Sequence, residues 1–178
     1  ESRGLGDVYK RQTYSLEHLK QEYPSYGTTD YREPAFEILQ ENGSRISDFV
    51  YESHKIYDGK PELQGLPAVY VEEKEEAQTL EIILRDSLTG AKMTLYYTIM
   101  RDFPVITRSM NLENDGDQSF DLTRAMSACL DLPDKDYEWI QLSGAWARER
   151  EIKTRKLEQG IQSVGSLRGN SSLSLIHI

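Results

Sequence analysis

The residue with the clearest potential to contact a ligand is Trp146, which stands in the stretch LSGAWARERE. Its indole ring offers a broad apolar face for the C–H side of a sugar ring and one N–H donor for a hydroxyl. Gly144 and Ala145 precede it and leave room for a ligand, and charged residues follow it. Two interpretations stay open from the residues alone: a ring that packs in a core, and a ring that contacts a sugar.

Acidic side chains are the next candidates, because the chain has 30 Asp and Glu residues. The densest cluster is Asp131, Asp134 and Asp136 in DLPDKD, which we interpret as a solvated turn rather than a catalytic site. A pair of glycosidase carboxylates is defined by a separation of roughly 5 to 10 Å, which the sequence does not show. The GxSxG, Walker and GxGxxG motifs are absent from the sequence.

Metal ligands are sparse, so the sequence predicts no metal site and no cofactor. His18, His54 and His177 are far apart, and none stands in an HxH or HExxH spacing. Cys129 is the one cysteine, which rules out an intrachain disulfide and a thiolate cage. It falls in the stretch RAMSACLDL, which we predict to be a strand, and there it would pack as a small apolar residue.

Composition bounds the class of protein. The chain has 178 residues, of which 38% are hydrophobic and 29% charged, which suits one globular domain. Its formal charge is −9 and its Lys and Arg residues are scattered, so a nucleic-acid partner is not expected. No stretch approaches the roughly 20 consecutive apolar residues of a membrane span, so no membrane partner is expected either.

The two ends differ in character from the middle. Residues 1–12 and 173–178 have no pattern continuous with their neighbours, and we interpret both as sequencing or assembly artefacts. Residues 13–172 contain no repeat and no linker long enough to separate two domains, so they are predicted to form one domain or part of one. On this interpretation the true N-terminus is missing, and a signal peptide cannot be assessed.

Alternation of apolar and polar residues is the strongest structural signal. After TLEIILRD and the turn SLTG, every second residue is apolar, which predicts a β-hairpin. A second pair of strands is predicted on either side of ENDGDQ, with Arg108 and Arg124 interrupting their apolar faces. The second pair of strands carries Ile106, Met110 and Leu112 on one face, then Phe120, Leu122, Met126, Ala128 and Leu130 on one face. The residues predicted to face inward are Met93, Leu95, Tyr97, Ile99, Leu122 and Met126.

Turn and helix signals complete the outline. Asn42-Gly43 suits a tight turn, so a further hairpin is predicted between FEILQ and RISDFVYESHKIY. SLEHLKQEY begins with a serine suited to capping a helix, and REREIKTRKLEQG could form a helical turn. Several short strands joined by turns predict an all-β, antiparallel sandwich.

Five separated stretches of the sequence form a recognisable series. They are LEHLKQEYPSYGTTDYREPAFEI, NGSRISDFVYESHKIYDGKPELQGLPAVYVE, AQTLEIILRDSLTGAKMTLYYTI, VITRSMNLEN and LSGAWARERE, and QSVGSLRGNSS follows them. Together they resemble the N-terminal domain of bacterial glycoside hydrolase family 36 alpha-galactosidases. They occur in the family's order and near its spacing, and the resemblance covers residues 13–172.

The resemblance implies an antiparallel β-supersandwich that precedes a catalytic (β/α)8 barrel in the whole enzyme. In the family the barrel carries both aspartates of a retaining hydrolysis of terminal alpha-linked galactose, as in melibiose and raffinose. The barrel is absent from this chain, so no catalytic residue is expected in it, and Trp146 is expected to line the galactose subsite. Family members imply a homo-oligomer, a tetramer, and a location in the bacterial cytoplasm.

Three functions remain open on the sequence. The first is a piece of an alpha-galactosidase that supports the sugar pocket and the oligomer and is inactive alone. The second is a self-standing carbohydrate-binding sandwich, for which one aromatic contact is a poor platform. The third is a purely structural interaction domain.

Overall fold

The computed structural model describes residues 19–27, 33–65, 68–145 and 147–165. All its strand pairs are antiparallel, and the described residues contain no α-helix, only a short 3-10 turn at Lys74–Glu76. The predicted all-β antiparallel fold is therefore confirmed. The strands are β1 (Phe36–Gln40), β2 (Phe49–Asp58), β3 (Ala77–Asp86), β4 (Ala91–Met100), β5 (Ile106–Asn114), β6 (Phe120–Ala125), β7 (Glu138–Ala145) and β8 (Arg148–Lys156).

The chain divides into two compact units, the first ending at Asp131 and the second beginning at Leu132. In the first unit, β2, β3, β4 and β5 form one sheet in that order, and β1 and β6 form a second sheet. The second unit contains the two-stranded sheet of β7 and β8. The core of the first unit draws on both of its sheets, with Phe36 and Ile38 from β1 packed together with Met93 and Leu95 from β4.

The alternation in β4 correctly identifies the face that meets this core. Met93 is fully buried and Leu95 is 6% exposed, while Tyr97 packs against the core half-buried. The prediction is wrong for Ile99, which is 51% exposed at the end of β4 and pairs with the exposed Ile106. The reason is length: the covering strands β1 and β6 have 5 and 6 residues, against 10 in β4, so they cover only part of it.

The inward prediction also fails along β6. Leu122 is 44% exposed although it pairs with the buried Ile38. The register of the two strands shifts beside this pair, between Glu37 and Ile38, so strict alternation does not hold along β6. The strand ends at Ala125, so Met126, Ala128 and Leu130 follow it instead of continuing its inner face. Of these residues only Met126 is half-buried, and its N–H donates a hydrogen bond of 2.7 Å to the Ala35 carbonyl.

The first predicted hairpin is confirmed as β3 and β4, and a buried carboxylate organises its turn. Asp86 accepts hydrogen bonds from the Leu88 N–H at 2.9 Å and from the Thr89 hydroxyl at 2.8 Å. Gly90 has a φ of 75°, a conformation that a side chain would oppose. Its N–H donates to the Asp86 carbonyl at 2.9 Å, which completes the turn.

The other two predicted hairpins are wrong in their pairing. β5 pairs with β4 while β6 pairs with β1, so the chain at ENDGDQ passes from one sheet to the other. Gly43 does form a tight turn, with a φ of 82° and an N–H that donates to the Gln40 carbonyl at 2.9 Å. The strands it joins nevertheless belong to different sheets. Turn residues fix where the chain bends, but packing decides which strands pair.

Neither predicted helical segment is helical where the structure describes it. Residues 148–156 of REREIKTRKLEQG form β8, which pairs with β7 along its length. The serine expected to cap SLEHLKQEY lies outside the described residues, and residues 19–23 have no regular structure. In β8, pairing with a neighbouring strand overrides the weak helical propensity of a charged stretch that lacks an apolar stripe.

Candidate functional site

The β7–β8 hairpin surrounds the residue with the clearest potential to bind a ligand. Trp146 itself lies outside the described residues, whereas the residues on both sides of it are described. Ala145 pairs with Arg148, so the chain reverses between these two residues. The register shifts between Ser143 and Ala145, just before the reversal.

Local backbone requirements explain the small residues in GAWA. A β-carbon on Gly144 would lie 2.5 Å from the Arg148 carbonyl oxygen, so only glycine allows this approach of the two strands. Ala147 has a φ of 65° and Arg150 a φ of 60°, a region that residues with side chains rarely occupy. The Ala147 N–H donates to the Glu149 carboxylate at 2.9 Å and helps to hold the turn. Gly144 therefore has a structural role whether or not a ligand binds nearby.

The body of the hairpin has two different faces. On one face, the exposed fractions of Ile140, Leu142 and Ile152 are 66%, 67% and 69%. On the other face, the Arg155 guanidinium lies 5.1 Å above the centre of the Trp139 ring, a cation–π arrangement. Trp139 is not among the residues predicted from the sequence, although the alternation in EWIQLSG separates it from the apolar positions. Its ring already has a cationic partner, which makes it a poorer candidate for a sugar contact.

Arg108, which interrupts an apolar face in the sequence, holds two distant segments against the four-stranded sheet. Its side chain is 16% exposed and pairs with the Glu22 carboxylate at 2.9 Å. Its guanidinium donates a hydrogen bond of 2.9 Å to the Cys129 carbonyl and lies 5.2 Å from the centre of the Tyr97 ring. This network explains why a charged residue lies on the core side of β5. The role of Arg108 is therefore structural.

Burial changes the acidity of Tyr97. Two causes raise the pKa of Tyr97 to about 12. The larger is its removal from water, and the second is the hydrogen bond that its hydroxyl donates to Glu22 at 2.9 Å. Both effects favour the neutral phenol over the phenolate. The contribution of this contact to stability is therefore fully present below pH 10 and is lost as the pH rises towards 12.

We expect this shift to be visible in an alkaline titration. The ultraviolet difference spectrum between the native chain and Tyr97→Phe should show Tyr97 only about one-tenth ionised at about pH 11, where a tyrosine with the ordinary pKa of about 10 would be about nine-tenths ionised. Circular dichroism at each pH would establish that both proteins remain folded. A phenolate difference with a midpoint near pH 10 would contradict the described network.

The other candidate residues, which are Arg124, the aspartates of DLPDKD and Cys129, do not form one site. Arg124 pairs with Glu33, and Asp131 accepts a hydrogen bond from the Gln21 N–H at 3.0 Å. Asp134 and Asp136 are exposed in the segment before β7, as a solvated turn requires. The predicted strand around Cys129 is wrong, because β6 ends before it and the half-buried cysteine lies in irregular chain.

Two classes of site receive no support from the described part of the chain. It contains no group of three or more His, Cys, Asp or Glu side chains arranged to hold a metal ion. None of the described residues belongs to a helix with the length and hydrophobicity that a bilayer crossing demands.

Comparison with known proteins decides the family. Residues 3–175 match the glycosyl hydrolase family 36 N-terminal domain. The chain belongs to this family. Family 36 relatives include alpha-galactosidase AgaA of Geobacillus stearothermophilus, 52% identical over 160 residues, and alpha-galactosidase Mel36A of Lactobacillus acidophilus, 42% identical over 160 residues. Each alignment covers 90% of this chain and 22% of the relative, so this family 36 chain spans about a fifth of their length.

The fold agrees with this membership. The crystal structure of AgaA superposes on 88% of this chain with a TM-score of 0.84, and the match covers 22% of that structure. The alpha-galactosidase of Lactobacillus brevis gives a TM-score of 0.82 at 40% identity. The antiparallel β architecture described above is therefore that of the family 36 N-terminal domain.

Proposed function

We propose that this chain is the N-terminal part of an alpha-galactosidase that hydrolyses terminal alpha-linked galactose from oligosaccharides such as melibiose and raffinose. The observation that carries the proposal is the 52% identity to AgaA over 160 residues. Crystal structures of AgaA variants in complex with raffinose and with stachyose give the substrate class by analogy. The chemistry would come from a catalytic domain beyond the residues that match here.

The proposal extends to the organisation of the whole protein. Residues 13–172 would form part of a β-supersandwich domain, which supports the sugar pocket formed with a (β/α)8 barrel. The parent would act as a homo-oligomer, a tetramer, in the bacterial cytoplasm. Residues 1–12 and 173–178 would not belong to the protein, an expectation that amplification and sequencing of the genomic locus tests directly.

The test of the proposed activity is reconstitution of the complete reading frame. The locus that encodes these residues should continue in frame into a barrel domain, and the complete protein should release galactose from raffinose. Sucrose should be the second product, because the bond between the galactose and the glucose unit is the one cleaved. An open reading frame without a barrel would contradict the proposal and favour a free-standing sugar-binding sandwich.

Trp146 is proposed to contact galactose in the complete enzyme. The described neighbours support this role, because Gly144 and Ala147 place little side-chain volume next to it and Ala147 is exposed. Aromatic rings are suited to the apolar face of a pyranose, and their N–H can donate to a hydroxyl.

We expect Trp146→Ala in the complete enzyme to lower kcat/KM. The loss should correspond to about 1 to 3 kcal/mol of transition-state stabilisation, the range of aromatic stacking contacts with flat ligands. The melting temperature should change little. Trp139→Ala is the matched control and should keep kcat/KM, since its ring already packs against Arg155. A core tryptophan would instead cost about 3 to 5 kcal/mol of stability. A large loss of stability with normal kinetics would show that Trp146 is packing.

A further inference from the structure

A cleft with both polar and apolar lining opens where three loops of the first unit meet. One wall is the turn after β1, a second is the turn between β3 and β4, and the third is the segment that leads into β6. The cleft has a volume of about 220 Å³. Its lining combines the apolar side chains of Leu88 and Phe120 with the polar side chains of Glu41, Asn42, Gln118 and Ser119.

Backbone contacts hold two of these loops together. A β-carbon on Gly116 would lie 2.0 Å from the Thr89 carbonyl oxygen, so the segment before β6 approaches the β3–β4 turn as closely as backbone atoms allow. The fully buried Asp86 fixes that turn from inside, through its bonds to Leu88 and Thr89. The shape of this side of the cleft therefore does not depend on a ligand.

A side-chain bond connects the third loop. The Ser119 hydroxyl donates to the Glu41 carboxylate at 2.5 Å, which links the turn after β1 to the segment before β6. Groups held in place before binding lose little conformational entropy when a ligand arrives. One pair of polar groups in the cleft, Ser119 with Glu41, is therefore already in place before a ligand arrives.

The chemistry of the lining selects the ligand class. The Gln118 amide offers donors and an acceptor, and the Glu41 carboxylate accepts only. The Asn42 amide offers its N–H donors, because its oxygen already accepts from the Ser44 N–H at 2.8 Å. No Lys or Arg side chain is among the described residues that line the cleft, so an anion would find no compensating charge. The volume is below the about 300 to 1,000 Å³ of sites for drug-sized ligands, which suits one small ring. Neutral hydroxyl groups, which donate and accept, match this set best.

We propose that this cleft binds one monosaccharide unit of a neutral oligosaccharide, with Gln118, Asn42 and Glu41 contacting its hydroxyls. Phe120, half-buried beneath the cleft, would meet the apolar face of the ring. The cleft belongs to the first unit, whereas Trp146 belongs to the second, so mutation separates the two contributions.

The test is saturation-transfer difference NMR with raffinose and the 178-residue chain, since this measurement detects the sugar whatever the association state of the protein. We expect a saturable signal with a dissociation constant on the order of 1 mM. Gln118→Ala should weaken binding about fivefold or more, because a sugar hydroxyl loses its partner. The signal should persist in Trp146→Ala.

Gln78→Ala is the matched control, because Gln78 is an exposed glutamine on β3 outside the cleft lining. It should leave binding unchanged, and the circular dichroism spectra of both glutamine variants should match that of the native chain. Absence of a saturable signal in the native chain would overturn the proposal. So would a signal that Gln118→Ala leaves intact, or one that Trp146→Ala abolishes.

Discussion

The purified 178-residue chain should release no nitrophenol from a nitrophenyl alpha-galactoside above the level of a mock preparation. A retaining glycosidase needs two carboxyl groups about 5 to 5.5 Å apart on either side of the scissile bond. The resemblance assigns both to a barrel that follows this domain, and the matched residues cover only 22% of AgaA. Since enzymes accelerate reactions by about 10⁶-fold or more, the difference between the chain and the complete enzyme should be very large.

The complete enzyme, assayed at the same molar concentration, is the positive control for this experiment. A mock preparation from the same host measures contaminating galactosidase. Turnover that copurifies with the chain and survives a second purification step would place catalytic carboxylates within these residues. The proposal that these carboxylates lie in the barrel would then be wrong.

Leu95→Ala should lower the free energy of unfolding by about 2 to 5 kcal/mol, the range for removing a large aliphatic side chain from a core. Leu95 is 6% exposed and belongs to the core cluster with Phe36 and Met93. Its truncation removes buried apolar surface and leaves a cavity that the facing β1 strand cannot fill without moving. Equilibrium denaturation in urea, followed by circular dichroism, measures the change.

Ile99→Ala is the matched control, because Ile99 lies on the same strand and the same face as Leu95. It is 51% exposed, so its truncation should cost less than about 1 kcal/mol. Equal losses for the two variants would show that the sheet of β1 and β6 covers β4 along its whole length, contrary to the described fold.

The sequence predicts what depends on local pattern. The alternation in β4 identifies Met93 and Leu95 as core, and the SLTG turn places the β3–β4 hairpin, because both properties arise from a few adjacent residues. It does not predict that Phe36 pairs with Ala125. The choice among distant strands depends on how two sheets cover each other, and many pairings satisfy the same local pattern.

The candidate site, too, is only partly predictable from the sequence. Tryptophan and glycine in GAW mark the site by residue type, but the positive φ values at Ala147 and Arg150 carry no signal in the sequence. Residues with side chains adopt that region only where the surrounding structure imposes it. The partners of Arg108 are equally hidden, because Glu22 and Cys129 reach it from distant parts of the chain.

The pairing of β1 with β6 has a consequence for the order in which the chain folds as it is synthesised. Strands β2 to β5 pair with their neighbours in sequence, so each pairing closes a much shorter loop than the pairing of β1 with β6 does. The four-stranded sheet is able to form as soon as β5 has emerged from the ribosome. Phe36 and Ile38 are made before these four strands, yet their own strand has no partner until residues 120–125 exist. The first of the described strands, β1, is therefore protected later than the four strands that follow it.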